Sequence, residues 1–340
     1  MRPLTSDRPS PLHRSDGTRR PRSRAAFLAV LLLLTACAGA TTSGAVRTEP
    51  AATTAAPSPT AASGDFPVTV EAANGDVTID AKPEAIVSLS PTATEMLFAI
   101  GAGDQTIAAD QFSNYPSEAP TTDLSALEPN IEAIAGYEPD LVVYADDPGD
   151  LASSLEELDI PAISVPAATT LEDTYEELGQ LGAATGHPDN AADLVEQMRD
   201  EVDEIVAGLP TTGQGAAFYH ELDTTYYSVT SDTFIGQLYG MLGLRNIADE
   251  APDDAGGYPQ LSSEFIIDAN PDLIFLADVK CCDQSAETVA QRPGWAQIDA
   301  VANDGVIELD DDIASRWGPR VVDLLRTIAD AVATHSTGGS

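Results

Sequence analysis

The chain has 340 residues, 16 basic against 55 acidic, and a formal net charge of −39 at pH 7. That balance excludes nucleic acid as a partner, because neutralising phosphates takes a basic surface. It also keeps the protein off anionic lipid headgroups and favours solubility.

Arg19, Arg20, Arg22 and Arg24 precede an apolar run from Ala25 to Leu34. A basic flank followed by a short apolar run has the form of a secretory signal that is removed from the mature protein. Its ten residues are too few to cross a bilayer, which takes about 20. The run ends in Leu34-Thr35-Ala36-Cys37, which resembles a lipobox. Residues 1–36 are therefore expected to be the signal, Cys37 the lipidated N-terminus holding the protein on the membrane, and the rest extracytoplasmic. An ordinary cleaved signal with an incidental cysteine is the alternative. The leader holds seven arginines and two acids, which leaves nine basic and 53 acidic residues beyond it, a net charge of −44. Residues 37–64 are mostly Ala, Thr, Ser, Gly and Pro with almost no large apolar side chain, a composition that cannot bury enough surface to fold and reads as a tether.

From residue 65 the patterns are those of a folded chain. Phe66 to Val70 and Asp76 to Asp80 flank Ala72-Ala73-Asn74-Gly75, and Asn-Gly between alternating runs predicts a hairpin. Ile86 to Leu89 reads as a buried strand. Ser90-Pro91 then turns into an amphipathic helix over Ala93 to Ile100 that Gly101 closes. Strands near Ile107, 141–144 and 162–165 alternate with helices over 131–136, 150–158 and 171–184, which makes 65–185 an α/β lobe. Pro188 opens a different helix, with Ala191, Leu194, Val195, Met198, Val202, Ile205 and Val206 at spacings of three and four before Gly208. Some 20 residues at ~1.5 Å each span roughly 30 Å, enough for 186–209 to run from one lobe to another. A second lobe over 210–334 is predicted with strands at Ala216 to Tyr219 and Tyr226 to Val229, a helix over 234–242, and a last helix from Pro319 to about Val332. Residues 335–340 form a tail.

The strongest signal is a repeat. IEAIAGYEPDLVVYAD, Ile131 to Asp146, returns 132 positions later as SEFIIDANPDLIFLAD, Ser263 to Asp278, with seven of sixteen positions identical and no gap. Each copy is a short helix opened by a glutamate, a Pro-Asp break and an apolar strand, the unit of a parallel α/β sheet. Two distant copies imply two similar lobes with a cleft between them.

Catalytic readings find little to use. Beyond His13 in the leader, the chain offers His187, His220 and His335, too few for a histidine-rich metal site. No Gly-x-Ser-x-Gly elbow occurs, and Gly101-Ala102-Gly103 lacks a Walker lysine and the rest of a dinucleotide fingerprint. The expectation is a protein that is not an enzyme and carries no cofactor.

FPVTV, NGDVTI and KPEAIVSLSPTATEMLFAIGAG, followed by the helix-strand unit twice with a long helix between, resemble the Fe-siderophore/cobalamin type of periplasmic binding protein. Proteins of that type are the substrate-binding components of ABC importers. The resemblance covers about Phe66 to Ala333. It implies two Rossmann-like lobes joined by one long helix, a monomer, and an iron chelate, haem or corrinoid held between the lobes. It also implies that a surface glutamate on each lobe, here Glu132 and Glu264, docks onto arginines of a dimeric permease. Read from the residues alone, these are also glutamates favoured in a first helical turn by the helix dipole.

Ligands of open α/β sheets bind at the carboxyl ends of the strands. That puts Ser90, the Phe112 to Tyr115 loop, Ala126 and the residues after Asp146 on one wall. The other wall takes His220 to Tyr227, Tyr258, Lys280 to Asp283 and Asp312 to Trp317. Phe112, Tyr115, Tyr226, Tyr258 and Trp317 are aromatics suited to a flat or greasy ligand. By the resemblance, Asp312 and Arg316 fall among polar ligand contacts; a salt bridge from Arg316 to Asp311 or Asp312 is the other reading. Arg320 reads as structural. Ala126 stands where some corrinoid-binding relatives present a large aromatic. Cys281-Cys282 is open to three readings: a vicinal disulfide shaping the rim, two free thiols, or a soft metal site. Haem binding, with a Tyr or His220 as axial ligand, and a surface-anchored sensor or scavenger are the functional alternatives.

Overall fold

The computed structural model describes residues 66–210, 215–252 and 255–338. The leader, Cys37 and the tether lie outside them. The chain begins with a hairpin of β1 (Val68–Ala72) and β2 (Gly75–Ile79). Ala72 pairs with Gly75, so the two-residue turn is Ala73-Asn74 and not Asn74-Gly75. Gly75, at φ 105°, takes the positive-φ position beside the turn that a Cβ would strain. This frees the Asn74 amide to bond Ala162 O (2.9 Å) and Ser164 N–H (3.0 Å). These groups belong to an edge strand of the first sheet, which the hairpin tip thereby covers.

The first lobe continues with β3 (Ile86–Leu89), α1 (Pro91–Ala99), β4 (Thr106–Ala109), α2 (Ile131–Ala135), β5 (Leu141–Tyr144), α3 (Leu151–Glu156), β6 (Ala162–Ser164) and α4 (Leu171–Thr185). After α5 (Pro188–Ala207) the second lobe holds β7 (Ala217–Glu221), α6 (Phe234–Met241), β8 (Arg245–Asn246), α7 (Ser263–Ala269), β9 (Leu273–Leu276), α8 (Val279–Cys282), α9 (Ala286–Ala290), α10 (Asp299–Ala302), β10 (Val306–Glu308), α11 (Asp311–Ala314) and α12 (Val321–Gly338). Each lobe has a parallel four-stranded sheet, in the orders β4-β3-β5-β6 and β8-β7-β9-β10. The two orders are equivalent, and the 132-residue offset holds along both central strands: Ile86 pairs with Leu141 as Phe218 pairs with Leu273.

The repeated Pro-Asp has a physical purpose. Asp140 Oδ2 accepts the N–H groups of Glu84 (2.9 Å) and Ala85 (3.1 Å), and Asp272 Oδ2 accepts that of Ala217 (2.7 Å). Both aspartates also donate their own N–H to the alanine carbonyl, Ala85 or Ala217, at 2.8 Å. Each carboxylate thus pins the start of its lobe's first central strand against the start of the third, fixing register where a slip would turn every side chain over.

Alternation along the strands sorts the core. Ile86, Leu141, Val143 and Ile163 of the first sheet, with Phe218, Leu273 and Phe275 of the second, enter one central cluster shared with α1, α4, α5, α6 and α12. Val87, Val142 and Tyr144 face an outer cluster of the first lobe, and Tyr219, Ile274 and Leu276 one of the second. The long helix α5 buries Ala191, Met198 and Val202 in the central cluster, so it is packed along its length as well as joining the lobes.

Two predicted elements differ. Tyr226 to Val229 is not a strand: the chain turns there, with Tyr226 at φ 69° and Asp223 Oδ1 accepting the Thr225 N–H at 2.7 Å. The sheet position goes instead to β8, only two residues long. The last helix starts at Val321 and runs past Val332 to Gly338.

Candidate functional site

A cavity of about 430 Å³ opens at the carboxyl ends of β3, β4 and β5. Its first-lobe wall is Leu89 to Thr92, Asp110 to Phe112, Asn114, Ala126, Leu127, Ala145 and Asp146, and the second lobe closes it with Asp312, Ser315, Arg316 and Trp317. Local structure explains the wall. Ser90 caps α1 by accepting the Ala93 N–H at 3.2 Å, which ends β3 sharply and turns the chain away from the cleft. Asp110, following β4, folds the next loop by accepting from Ser113 Oγ at 2.7 Å and from Phe112 N–H at 3.3 Å. That leaves Phe112 53% exposed at the cavity.

An ion cluster crosses the cleft. Glu95 of α1 is 3% exposed, yet its carboxylate receives Arg316 Nη1 at 2.7 Å, Arg320 Nε at 2.8 Å and Arg320 Nη2. Arg316 Nη2 also reaches the Phe112 carbonyl (3.1 Å), Asn114 Oδ1 (3.0 Å) and Asp312 Oδ1 (2.9 Å). Asp312 Oδ2 in turn accepts from Asn114 (3.1 Å) and Lys280 Nζ (3.0 Å). Both readings of Arg316 therefore meet at one place, since it lines the cavity while salt-bridged to Asp312, and Arg320 is structural. Trp317 is held across the cleft as well. Its Nε1–H donates to Glu177 of α4 at 3.1 Å, and its carbonyl accepts from Thr174 at 3.0 Å. Burial pushes the Glu177 carboxyl up to about 8, against the Trp317 hydrogen bond and with the help of the Asp173 charge.

Of the aromatics singled out, Phe112 and Trp317 line the cavity. Tyr115, 45% exposed, lies outside the lining, its ring 4.0 Å under the Arg320 guanidinium. Tyr258 is exposed and also outside the lining. Tyr226 stacks on Trp295 at 5.6 Å within the second lobe. His220 is fully buried. Its Nδ1 pairs with the Tyr239 hydroxyl at 2.8 Å, and burial pushes its pKa down to about 4. Neither residue lines the cavity: His220 lies in β7, which is buried along all five residues, and Tyr226 is turned onto Trp295. Cys281 and Cys282 are joined as a disulfide. Next to it, Asp311 gathers the N–H groups of Val279, Lys280 and Cys281, each at 2.9 Å. Sequence reasoning missed Asp110, Glu95 and Glu177. A charged residue inside the apolar run TATEMLFAI was the available sign for Glu95, since such a residue is buried only when paired.

Glu132 and Glu264 occupy matching positions in the first turns of α2 and α7, behind the side-chain caps Asn130 and Ser262. Both are exposed, and neither carboxylate has a hydrogen-bond or ion-pair partner among the described residues.

The chain matches the model of the family described as periplasmic binding protein over residues 86–313. It is 29% identical over 277 residues to an uncharacterized ABC transporter substrate-binding lipoprotein, YvrC, of Bacillus subtilis, covering 78% of this chain and 86% of that one. It is 30% identical over 282 residues to a cobalamin-binding protein of Halobacterium salinarum, covering 80% of this chain and 75% of the other. Among solved structures, a possible iron-binding, periplasmic solute-binding protein of Staphylococcus epidermidis superposes with a TM-score of 0.64 at 26% identity, over 74% of this chain and 99% of that one. With equivalent sheets in two lobes, a cleft cavity at the strand ends and these likenesses, the chain belongs to the periplasmic binding protein family.

Proposed function

We propose that this protein, the substrate-binding component of an ABC importer, captures a cobalamin-type or ferric-siderophore chelate in the 430 Å³ cleft cavity and presents it to the permease. The observation that carries the reading is that one cavity is walled by strand ends of the first lobe and by Asp312 to Trp317 of the second, with an aromatic side chain from each, Phe112 and Trp317. Large aromatic faces grip a greasy ligand at small entropic cost. No observation at the cavity favours haem ligation, since His220 and Tyr226 face elsewhere.

Trp317 supplies the test. Titration with cyanocobalamin or a ferric trihydroxamate is expected to change tryptophan emission, and Trp317→Phe to remove the change while the buried Trp295 keeps its signal. No response, and no thermal stabilisation, from any chelate would refute the reading.

The same reading assigns Glu132 and Glu264 to permease docking. Their equivalence under the repeat, exposure and lack of partners support it, because two fixed carboxylates suit a two-fold permease and charge pairs of this kind set orientation and encounter rate. Reversing both, Glu132→Arg with Glu264→Arg, is expected to abolish stimulation of the transporter's ATPase and leave the fluorescence titration unchanged; loss of ligand binding would remove the role. Anchoring belongs to the same proposal: the lipobox at Cys37 supplies the lipid, and no helix among the described residues is long and apolar enough to cross a membrane.

A further inference from the structure

We infer that Asp110 is a specificity-determining ligand contact, part of an acceptor-rich wall that selects neutral or cationic chelates bearing N–H donors over anionic ones. The inference rests on the capture reading above and names the charge class of its ligand.

Asp110 lines the cavity, yet its exposure is 0%. Oδ1 is committed to Ser113 and Phe112, whereas Oδ2 is buried with no partner among the described residues. Burial raises the Asp110 pKa, against its bonds to Ser113 and Phe112 and the Arg316 charge; as a carboxylate it has unfilled acceptor sites, and a buried acceptor without a donor is costly. A donor arriving with the ligand removes that penalty, and an anionic ligand adds repulsion to it.

The rest of the wall points the same way. Asp146 and Asp312 also line the cavity, and Arg316 is the one cation among the lining residues. That guanidinium is already held by Glu95, Asp312, Asn114 and the Phe112 carbonyl. Lys280, next to the site, is held by Asp310 at 2.6 Å and by Asp312. Asp110 and Asp146 thus line the cavity with no cation bonded to them among the described residues, against one arginine whose donors are occupied. An anionic chelate would have to take Arg316 from two carboxylates, inside a chain whose overall charge already opposes it.

The test uses the mature protein and three probes: cyanocobalamin, neutral and rich in amides; a cationic ferric trihydroxamate; and an anionic ferric tris-catecholate. The wild type is expected to bind one of the first two at least about 100-fold more tightly than the catecholate. Asp110→Asn keeps the Oδ1 acceptor but puts N–H donors where Oδ2 stood. It is expected to weaken the preferred probe by about 10- to 100-fold and to narrow the preference. Ser113→Ala disturbs the same turn but leaves Oδ2 in place, and is expected to stay within about 3-fold of wild type. Equal or tighter binding of the catecholate by the wild type overturns the inference, as does an unchanged Asp110→Asn or a Ser113→Ala that reproduces its loss. In each of these cases ligand capture stands. Should Asp110→Asn fail to fold, the wild-type ranking decides alone. Failure of all three probes to bind overturns the capture reading, and this inference with it.

Discussion

Glu95→Ala is expected to lower folding stability by about 3–5 kcal/mol, the range for removing one member of a buried ion cluster. Glu95 is the anion that compensates two arginines of the opposing lobe. The Arg316 and Arg320 side chains are 9% and 16% exposed, and the Glu95 side chain 2%, so water can hardly take its place. Arg316 would keep Asp312, Asn114 and a carbonyl, but Arg320 would be left with the face of Tyr115 at 4.0 Å. Most of the loss should therefore run through Arg320, and a double-mutant cycle between Glu95 and Arg320 should show coupling well above that of an exposed pair. Arg199 with Glu172 is the internal comparison. Their side chains are 47% and 58% exposed, and Arg199→Ala should cost about 1 kcal/mol or less as an ion pair. Urea unfolding of the ligand-free protein measures both. A loss at Glu95 no larger than at Arg199 would mean that the cluster does not hold the lobes together.

How far the sequence could be read depended on whether the cause of a feature was local. The strand at 141–144 and its counterpart at 273–276 were legible to the residue, because a Pro-Asp break and an apolar run lie side by side. The span of α5 was legible from spacing and from Pro188. By contrast, β8 is a strand only because Arg245 and Asn246 pair with Ala217 and Phe218, while the Asn246 side chain bonds the Val229 carbonyl at 2.7 Å. Nothing in two polar residues announces that. Tyr226 to Val229 has strand-like composition, and the Asp223 turn before it overrides the preference. At the site, Phe112 was found by its place after a predicted strand, whereas Asp312 and Arg316 rested on the resemblance and Trp317 on its place in a predicted loop, since the strand before them, β10, was not predicted. His220 was misplaced because it precedes the strand end: it sits one residue short of the end of β7 and shares the inward face with Phe218, against Tyr239. Glu95 and Glu177 have partners 221 and 140 residues away, pairings that only the folded chain brings together.

Stability is expected to be highest near pH 4.5 and to fall as the pH rises to about 8, most steeply just above 6.5, the result of three buried groups whose effects oppose one another. Glu177 is 6% exposed, and its pKa is raised from 4.5 to about 8. The folded state thus holds a proton that the unfolded state gives up above pH 4.5, and the stability this contributes is lost as pH rises through about 8. Asp278 is fully buried, and neither carboxylate oxygen has a hydrogen-bond partner among the described residues. Burial raises its pKa from 3.8 to about 7, with the Glu221 charge raising it and Arg292 opposing, so its contribution is lost as pH rises through about 7. His220 works the other way. Its pKa falls from 6.5 to about 4, so its contribution is present above 6.5 and lost as pH falls through 4. Between 4.5 and 6.5 the slopes of Glu177 and His220 nearly cancel and that of Asp278 remains; above 6.5 only the acids act, Asp278 up to about 7 and Glu177 up to about 8. Each group changes stability by about 1.4 kcal/mol per pH unit within its window, so Glu177 alone should account for about 2 kcal/mol between pH 6.5 and 8. Glu177→Gln should remove that part of the slope and keep an acceptor for the Trp317 indole, leaving the variant more stable than wild type at pH 8 and near it at pH 5. Denaturant midpoints measured at pH 5, 6.5 and 8 decide the matter, and wild-type stability that climbs toward pH 8 would show that these carboxyl groups are not buried as acids.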